Sequence, residues 1–344
     1  MPFPYRRSRT RFDPSSTQPS DELSCLMNSP SIAIIIVSWN VGDLLLRCLK
    51  SIPQAIAGDI RYHIVVADNA SSDNTIRMVK RLQATRLRGK LTIIQHRQNI
   101  GFAAANNHAV LWIQKKFHQH PFDYYLFLNP DTQLLSPVVF PLLEAMERDP
   151  SIGVLGPTLF DEQGAIQRSV LRFPTPLTGL LVMLKVYRWF LWWKPMKRYL
   201  AFDFDYTKEQ QVEQVQGAFF LVRRICWEQL GGFDAHFFVW FEEVDFCKRA
   251  RAALWGVRYI PISGVIHHGA ASFNRLETLK KHSYFRSSLL WYIAKHYGFA
   301  PWFFVWLLQP LGIFMAWASR VARPRIALCS NPWKVSSPPP SRQA

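Results

Sequence analysis

The stretch SIAIIIVSWN, residues 31–40, decides the fold class. Its centre, residues 32–37, is a continuous apolar run rich in β-branched side chains, which is typical of a strand buried on both faces. A helical pattern follows at residues 43–52. The alternation then continues with strands predicted at 63–67, 91–95 and 124–128 and helices at 73–86 and 103–117. Strands that alternate with helices predict an α/β fold with a doubly wound, mostly parallel sheet.

Polar clusters follow four of these strands. They are Trp39-Asn40, Asp68-Asn69, Asn99-Ile100-Gly101-Phe102 and Asn129-Pro130-Asp131. In sheets of this kind ligands bind beyond the carboxyl ends of the strands. One such cluster alone is as easily an Asx turn or a helix cap. Four in succession predict a binding site along one edge of the sheet.

The second half adds acidic and imidazole side chains. A strand is predicted at 214–222, and Glu242-Glu243 opens a helix that runs to residue 254. A strand at 257–260 precedes His267-His268, and an amphipathic helix is predicted at 276–297. The alternative interpretations are that the glutamates only favour a helix N-terminus and that the histidines are structural.

These side chains suit a metal-assisted reaction. Asp131 and one of the two histidines could hold Mg²⁺ or Mn²⁺, with diphosphate oxygens completing the shell, because hard cations favour oxygen ligands and tolerate an imidazole. A separate carboxylate would then accept a proton from an attacking hydroxyl, and Glu243 is the candidate.

The net charge of +17 is concentrated beside aromatic and apolar stretches. Residues 275–344 carry ten Lys or Arg and one acidic residue. Residues 177–200 carry five Lys or Arg and no acidic residue. This pairing favours an anionic membrane surface, although solvated basic faces are the alternative. Residues 299–318 lack charge, but Gln309-Pro310 interrupts them, so we expect an interfacial or re-entrant helical hairpin and not a simple span.

Domain organisation and location follow from composition. We expect a disordered lead at 1–30, a catalytic domain at 31–275, a membrane-associated helical region at 276–330 and a disordered tail at 331–344. The five cysteines contain no C-x-x-C pair and no signal peptide is visible. The expected location is therefore the cytoplasmic side of the cell membrane, in peripheral or re-entrant attachment.

Seven segments together resemble glycosyltransferase family 2, with its GT-A fold, and most closely its rhamnosyltransferase-like branch. They are IIIVSWNVGDLLLRCLKSI (34–52), VVADNASSDNT (65–75), NIGFAAANN (99–107), YLFLNPDTQL (125–134), GAIQRSVLRFPT (164–175), VQGAFFLVRRICWEQLGGFDAHFFVWFEEVDFCKRA (215–250) and GVIHHGAAS (264–272). The resemblance extends over residues 31–297.

The resemblance implies a role for individual residues. Asp131 and His267 would bind the metal, and Glu243 would be the base. Asp68 would contact the nucleobase, and Arg249 would anchor a helix. The full predicted donor-binding set, from the strand ends and the resemblance together, is Asn40, Asp68, Asn69, Asn99, Gly101, Phe102, Asn129 and Arg172.

Two positions depart from the family pattern. Glutamate replaces the usual aspartate at the base, which leaves open whether Glu242 or Glu243 acts. Asn129 stands where an aspartate is usual in the metal motif.

The implied activity is an inverting, divalent-metal-dependent transfer of a sugar from a nucleotide sugar. The expected donor is dTDP-rhamnose or a UDP-sugar, and the expected acceptor is lipid-linked or a cell-surface polysaccharide. The alternative is a catalytically degenerate, membrane-tethered protein that binds sugar nucleotides. Nucleotidyl transfer is disfavoured because no Gly-rich loop follows the first strand, and a nucleic-acid partner is disfavoured because no basic recognition helix is present.

Overall fold

The computed structural model of the chain describes residues 30–56, 58–269 and 278–314. The strands are β1 (Ser31–Ser38), β2 (Arg61–Asp68), β3 (Leu91–Gln95), β4 (Tyr124–Leu128), β5 (Thr132–Leu134), β6 (Ile152–Phe160), β7 (Val170–Leu171), β8 (Gln210–Gln211), β9 (Gln214–Val215), β10 (Phe219–Arg223) and β11 (Gly256–His267). The helices are α1 (Gly42–Ala55), α2 (Thr75–Thr85), α3 (Phe102–Lys116), α4 (Val139–Arg148), α5 (Pro176–Met183), α6 (Lys194–Tyr199), α7 (Arg224–Leu230), α8 (Glu242–Ala252), α9 (Thr278–Tyr297) and α10 (Phe299–Leu307), with a 3₁₀ helix at Tyr187–Phe190.

Most of these strands form one mixed sheet. Within the described residues its order is β3-β2-β1-β4-β10-β6-β11-β5, and β8 pairs with β11. The pairs β3–β2, β2–β1, β1–β4 and β6–β11 are parallel, whereas β10 runs antiparallel to β4 and β6. The predicted α/β fold with a central, mostly parallel sheet is confirmed.

Helices cover both faces of the sheet, as a doubly wound arrangement requires. One core cluster packs α1, α2 and α4 against one face. The other packs α3, α7 and α8 against the opposite face. Residues 32–36 are fully buried between the two clusters, which explains why this central part of β1 carries no polar side chain.

The second half differs from the prediction at two strands. The single strand predicted at 214–222 is wrong, because β9 ends at Val215 and β10 begins at Phe219. The strand predicted at 257–260 is longer, since β11 continues to His267 with shifts of register on the way. Glycines with positive φ form a turn at residues 231–232.

The C-terminal helix α9 packs onto the start of α8. Leu289, Tyr292 and Ile293 of α9 form a core with Phe241 and Val244 at the start of α8. Below them Asp245, with a fully buried side chain, accepts hydrogen bonds from Arg249, Lys295 and His296 at 2.7, 2.8 and 2.8 Å. Helices α8 and α9 are therefore joined by both apolar and ionic contacts.

Large apolar side chains are exposed on α10 and on the segment before α6. Phe299 and Phe304 are 73% and 58% exposed, and Trp189 and Trp192 are each 71% exposed. Helix α5 packs against both regions, and its own Leu177 is 47% exposed. No helix in the described part of the chain is both long and apolar enough to span a bilayer. The structure describes only Pro30 of the predicted lead and no residue of the predicted tail. Residues 315–318 of the predicted hairpin also lie outside the described residues.

Candidate active site

A cleft of about 520 Å³ lies at the carboxyl ends of the parallel strands. The predicted site residues that line it are Asn69, Asn99, Phe102, Asn129, Asp131, Glu242, Glu243 and His267. Strands β1 and β2 pair in parallel to their last residues, Ser38 and Asp68, so the loops that follow emerge side by side. The other predicted donor-binding residues, namely Asn40, Asp68, Gly101 and Arg172, are not among the lining residues.

Asn40 and Asp68 hold the loops that shape the cleft. Asp68 is 2% exposed, and its carboxylate accepts hydrogen bonds from the Ser71 backbone N–H at 2.9 Å and the Ser71 hydroxyl at 2.5 Å. Asn40 has φ 55°, and its Oδ1 accepts the Ser72 N–H at 2.7 Å. The next residue after Asp68, Asn69, faces the cleft and has a buried Oδ1 with no hydrogen-bond partner in the described chain.

Gly101 permits a close approach between two loops. Its φ is 88°, and a Cβ there would lie 2.7 Å from the carbonyl oxygen of Phe238. The Phe102 N–H donates to that same carbonyl at 2.6 Å. The Asn99 side chain accepts the Gly101 N–H at 3.0 Å. A side chain at position 101 would therefore push apart the walls of the cleft.

Arg172 lies outside the lining of the cleft. Its guanidinium is 2.9 Å from the Asp203 carboxylate and 4.0 Å from that of Glu213. Arg249 donates to Asp245 and to the carbonyls of Leu230 and Gly232, so it anchors α8 to the preceding turn.

Asp131 and His267 meet on one wall of the cleft. The His267 Nε2 lies 3.5 Å from the Asp131 Oδ1. Strand β11 places them there, because His267 pairs with Thr132 and the His268 N–H donates to the Asp131 carbonyl at 2.9 Å. His268 itself turns to Glu162, at 2.7 Å.

Gln167 fixes the orientation of the His267 ring. Its Nε2 donates to the His267 carbonyl at 2.6 Å, so its Oε1 faces the His267 Nδ1 at 2.9 Å. An amide oxygen only accepts, and the proton of a neutral imidazole is therefore on Nδ1. The Nε2 lone pair is left facing Asp131.

This pair fits the requirements of a shared cation. Ligand atoms bound at about 2.0–2.2 Å to one ion lie roughly 3–3.5 Å apart, which matches the observed separation. No group of three or more His, Cys, Asp or Glu side chains that could hold a metal occurs in the described ranges. Asp131 and His267 would thus supply two ligands, and oxygens of a bound molecule would have to supply others.

Glu242 and Glu243 project from the start of α8. The two residues before it, Trp240 and Phe241, have φ 65° and 70°, a left-handed conformation that costs about 1–3 kcal/mol per non-glycine residue. Such strain is retained where it orients functional groups. A Cβ on Gly217, in the break between β9 and β10, would lie 3.6 Å from the Glu243 Cγ.

The two glutamates differ in electrostatic environment. Burial and the neighbouring Glu243 carboxylate raise the pKa of Glu242 well above its ordinary value. Burial also raises the pKa of Glu243. The backbone N–H groups of Glu243 and Val244 oppose the rise at Glu243, whereas only the backbone N–H of Glu242 opposes the rise at Glu242. Each side chain has a buried Oε2 without a hydrogen-bond partner among the described residues. Glu243 therefore ionises first, and its free oxygen can accept a proton.

Several lining residues were not predicted from the sequence. The Phe238 and Tyr284 rings stack at 4.6 Å with an interplanar angle of 18°. Lys280 lies one helical turn before Tyr284 and is the one Lys or Arg among the described lining residues. The four-residue spacing of Lys280 and Tyr284 on one helix face was the available signal, whereas Gln167 gave none.

Comparisons with known proteins agree with this fold. The family model described as glycosyl transferase family 2 matches residues 33–228. The N-acetylglucosaminyl-diphospho-decaprenol L-rhamnosyltransferase of Mycobacterium tuberculosis is 28% identical over 277 residues, which cover 78% of this chain and 85% of that protein. The rhamnosyltransferase WbbL of Escherichia coli K12 is 26% identical over 279 residues, which cover 78% and 92%.

A solved structure shares the fold. The mannosyltransferase PcManGT from Pyrobaculum calidifontis, in complex with GDP-Man and Mn²⁺, aligns with a TM-score of 0.50 and 14% identity over 87% of this chain and 77% of that one. At this identity the likeness concerns the fold alone.

Proposed function

Because the chain belongs to glycosyl transferase family 2, and is accordingly a glycosyltransferase, we propose that it transfers rhamnose from dTDP-rhamnose to a lipid-linked saccharide with inversion at the anomeric carbon. One observation carries this proposal: Asp131, His267 and Glu243 line a single cleft at the carboxyl ends of the parallel strands. The choice of rhamnose rests on the similarity to the two rhamnosyltransferases. The choice of a lipid-linked acceptor rests on the M. tuberculosis relative, an N-acetylglucosaminyl-diphospho-decaprenol L-rhamnosyltransferase.

The donor would lie across the loops that follow β1, β2 and β4. Asn69 offers an unpaired buried amide oxygen, and the start of α3 lies beside it. Asp131 and His267 would hold a divalent cation, Mg²⁺ or Mn²⁺. When bound, it supplies positive charge that stabilises a leaving diphosphate. Lys280, which also lines the cleft, adds a further positive charge.

Glu243 is the proposed general base. It accepts the proton of the acceptor hydroxyl as that oxygen attacks the anomeric carbon. The bond from the anomeric carbon to the diphosphate oxygen breaks, and its electron pair leaves with the nucleoside diphosphate. A single displacement inverts the anomeric configuration. Glu242, with the higher pKa, would remain protonated beside it.

The proposed location is the cytoplasmic side of the cell membrane, in peripheral or re-entrant attachment. Support comes from exposed aromatic rings on α10 and before α6, beside basic segments of the chain. Trp and basic side chains of this kind favour the membrane interface. An enzyme held there would meet a lipid-linked acceptor directly.

The test is consumption of dTDP-rhamnose by the purified chain with an N-acetylglucosaminyl-diphospho-lipid acceptor and Mg²⁺. The wild type is compared with Asp131→Ala. We expect turnover by the wild type and a strong loss in the variant. Binding of the donor without turnover would favour the catalytically degenerate alternative, and equal turnover by both proteins would contradict the assigned cleft.

A further inference from the structure

A second pocket, of about 320 Å³, opens outside the cleft where α6, α8 and the end of α9 meet. We call it the outer pocket. Its lining residues are Phe173, Thr175, Arg198, Glu213, Lys248, Arg251 and Tyr297. Three cationic side chains surround one carboxylate, and none of the seven lines the cleft. The glycosyl transfer described above leaves this pocket without a role.

Two of the three cations have no acidic partner within the part of the chain that the structure describes. The Lys248 ammonium lies 4.3 Å from the centre of the Tyr297 ring and 3.5 Å from the Tyr292 hydroxyl. Arg251 donates to the carbonyl of Val212 at 3.0 Å. Neither cation forms an ion pair with any carboxylate of the described residues. The pocket therefore presents charge-assisted donors that an anion could accept.

The acids nearby do not neutralise this charge. Glu213 is shared with Arg198 at 3.4 Å and Arg172 at 4.0 Å. Burial lowers the pKa of Lys248, and the carboxylates of Asp245 and Glu213 raise it only in part. A bound anion would stabilise the ammonium that burial disfavours.

The pocket adjoins the exposed aromatic regions. Tyr297 is the last residue of α9, and Phe299, two residues further on, is 73% exposed. Arg198 belongs to α6, and Trp192, just before that helix, is 71% exposed. A membrane surface touched by both aromatic regions would present its headgroups between them.

We propose that the outer pocket binds the phosphate group of an anionic membrane lipid through Arg198, Lys248 and Arg251. This inference rests on the proposed attachment to a membrane surface. Guanidinium groups recognise phosphate oxygens in paired geometry, and an ammonium adds a compact point charge. A carboxylate headgroup offers fewer acceptor oxygens to the same three donors.

The experiment measures binding to neutral galactolipid vesicles that carry either phosphatidylglycerol or a carboxylate lipid matched for zeta potential. The wild type is expected to prefer phosphatidylglycerol by about tenfold, the size of one charge-assisted hydrogen bond. The double variant Lys248→Gln/Arg251→Gln should lose that preference. The control, Lys194→Gln/Lys197→Gln, removes two exposed charges outside the pocket. It should weaken binding to both kinds of vesicle equally and leave the preference for phosphatidylglycerol unchanged.

Arg198→Gln provides a second test in case the double variant misfolds. The Arg198 side chain is 66% exposed, so its replacement should leave the fold intact. It should reduce the preference in part, with an unchanged unfolding temperature. A preference that survives in both pocket variants, or that the wild type lacks, would overturn the proposal. Stabilisation of the wild type by soluble glycerol 3-phosphate without any vesicle binding would also overturn the lipid assignment and indicate a soluble phosphate ligand.

The outcome is separable from that for glycosyl transfer. Donor turnover without a preference for phosphatidylglycerol would refute phosphate binding in the outer pocket and would leave the proposed glycosyl transfer intact. A pocket-dependent preference without turnover would support phosphate binding in the outer pocket and refute the proposed rhamnosyl transfer.

Discussion

Replacing the two cleft glutamates one at a time should separate catalysis from stability. Glu243→Gln removes the proposed base and keeps the shape of the side chain. Loss of a general base lowers kcat by about 10²–10⁴-fold. Glu242→Gln keeps a neutral side chain where we expect a protonated carboxyl. Its kcat should therefore fall by less than about tenfold relative to the wild type.

Glu242→Gln should lower kcat slightly but increase the free energy of unfolding at high pH. The pKa of Glu242 is raised in the folded chain above the value of 4.5 for a free glutamate. Below that value both states are protonated, and the full stability is present. As pH rises from 4.5 through the folded pKa, the unfolded state loses its proton first, and stability falls. Each unit of separation costs about 1.4 kcal/mol once the pH exceeds both values.

Glutamine does not ionise, so Glu242→Gln should abolish this loss. We expect the variant to match the wild type at pH 4 and to be more stable at pH 8, by about 1 kcal/mol or more. Urea unfolding at the two pH values measures the difference, and donor consumption with acceptor measures kcat on the same preparations.

Two results would refute this reasoning. If Glu242→Gln lost the larger share of kcat, the base would be Glu242 and the order of ionisation would be wrong. If the stability of Glu242→Gln followed the pH dependence of the wild type, the buried carboxyl would not be the titrating group.

Three further predictions concern supporting residues. Gln167→Leu should weaken Mn²⁺ binding by about 10–100-fold, since it frees the His267 ring to rotate; isothermal titration with Mn²⁺ measures this, and unchanged affinity would contradict the role. Lys280→Gln should raise the KM for the donor about fivefold with little change in kcat, as expected for one lost exposed charge, and steady-state kinetics would show it. Asp245→Asn should destabilise the fold by about 3 kcal/mol, because the buried carboxylate pairs with the charged side chains of Arg249 and Lys295; an unchanged urea midpoint would argue against it.

The strand-end loops could be predicted because a simple rule governs them. A buried β-branched run requires helices on both faces, and parallel strands place their carboxyl ends at one edge. That reasoning brought Asn69, Asn129 and Asp131 to a common cleft. It did not reveal that the Asp68 carboxylate turns back to Ser71, because local hydrogen bonds compete with ligand contacts.

The rest of the site depends on contacts that are distant in sequence. Gln167 meets His267 one hundred residues away, and neither residue has a periodic pattern that reports the other. The part that Lys280 and Tyr284 play depends on which face of α9 packs over the cleft, which is a tertiary property. The break between β9 and β10 contains Gln216 and Gly217, and a glycine inside a strand pattern often marks an irregularity of this kind, so this signal was present but was not used in the prediction.

The position of α9 bears on how the protein can be prepared. Anyone seeking a shorter, better-behaved catalytic fragment would be drawn to stop near residue 228, where the family match ends, or before the aromatic C-terminal helices. Either shortened protein would lose the helix that supplies Lys280 and Tyr284, and the second would leave Phe241 and Val244 in water. Useful fragments should retain α9 through Tyr297, and detergent or lipid should replace trimming as the means of keeping the chain in solution.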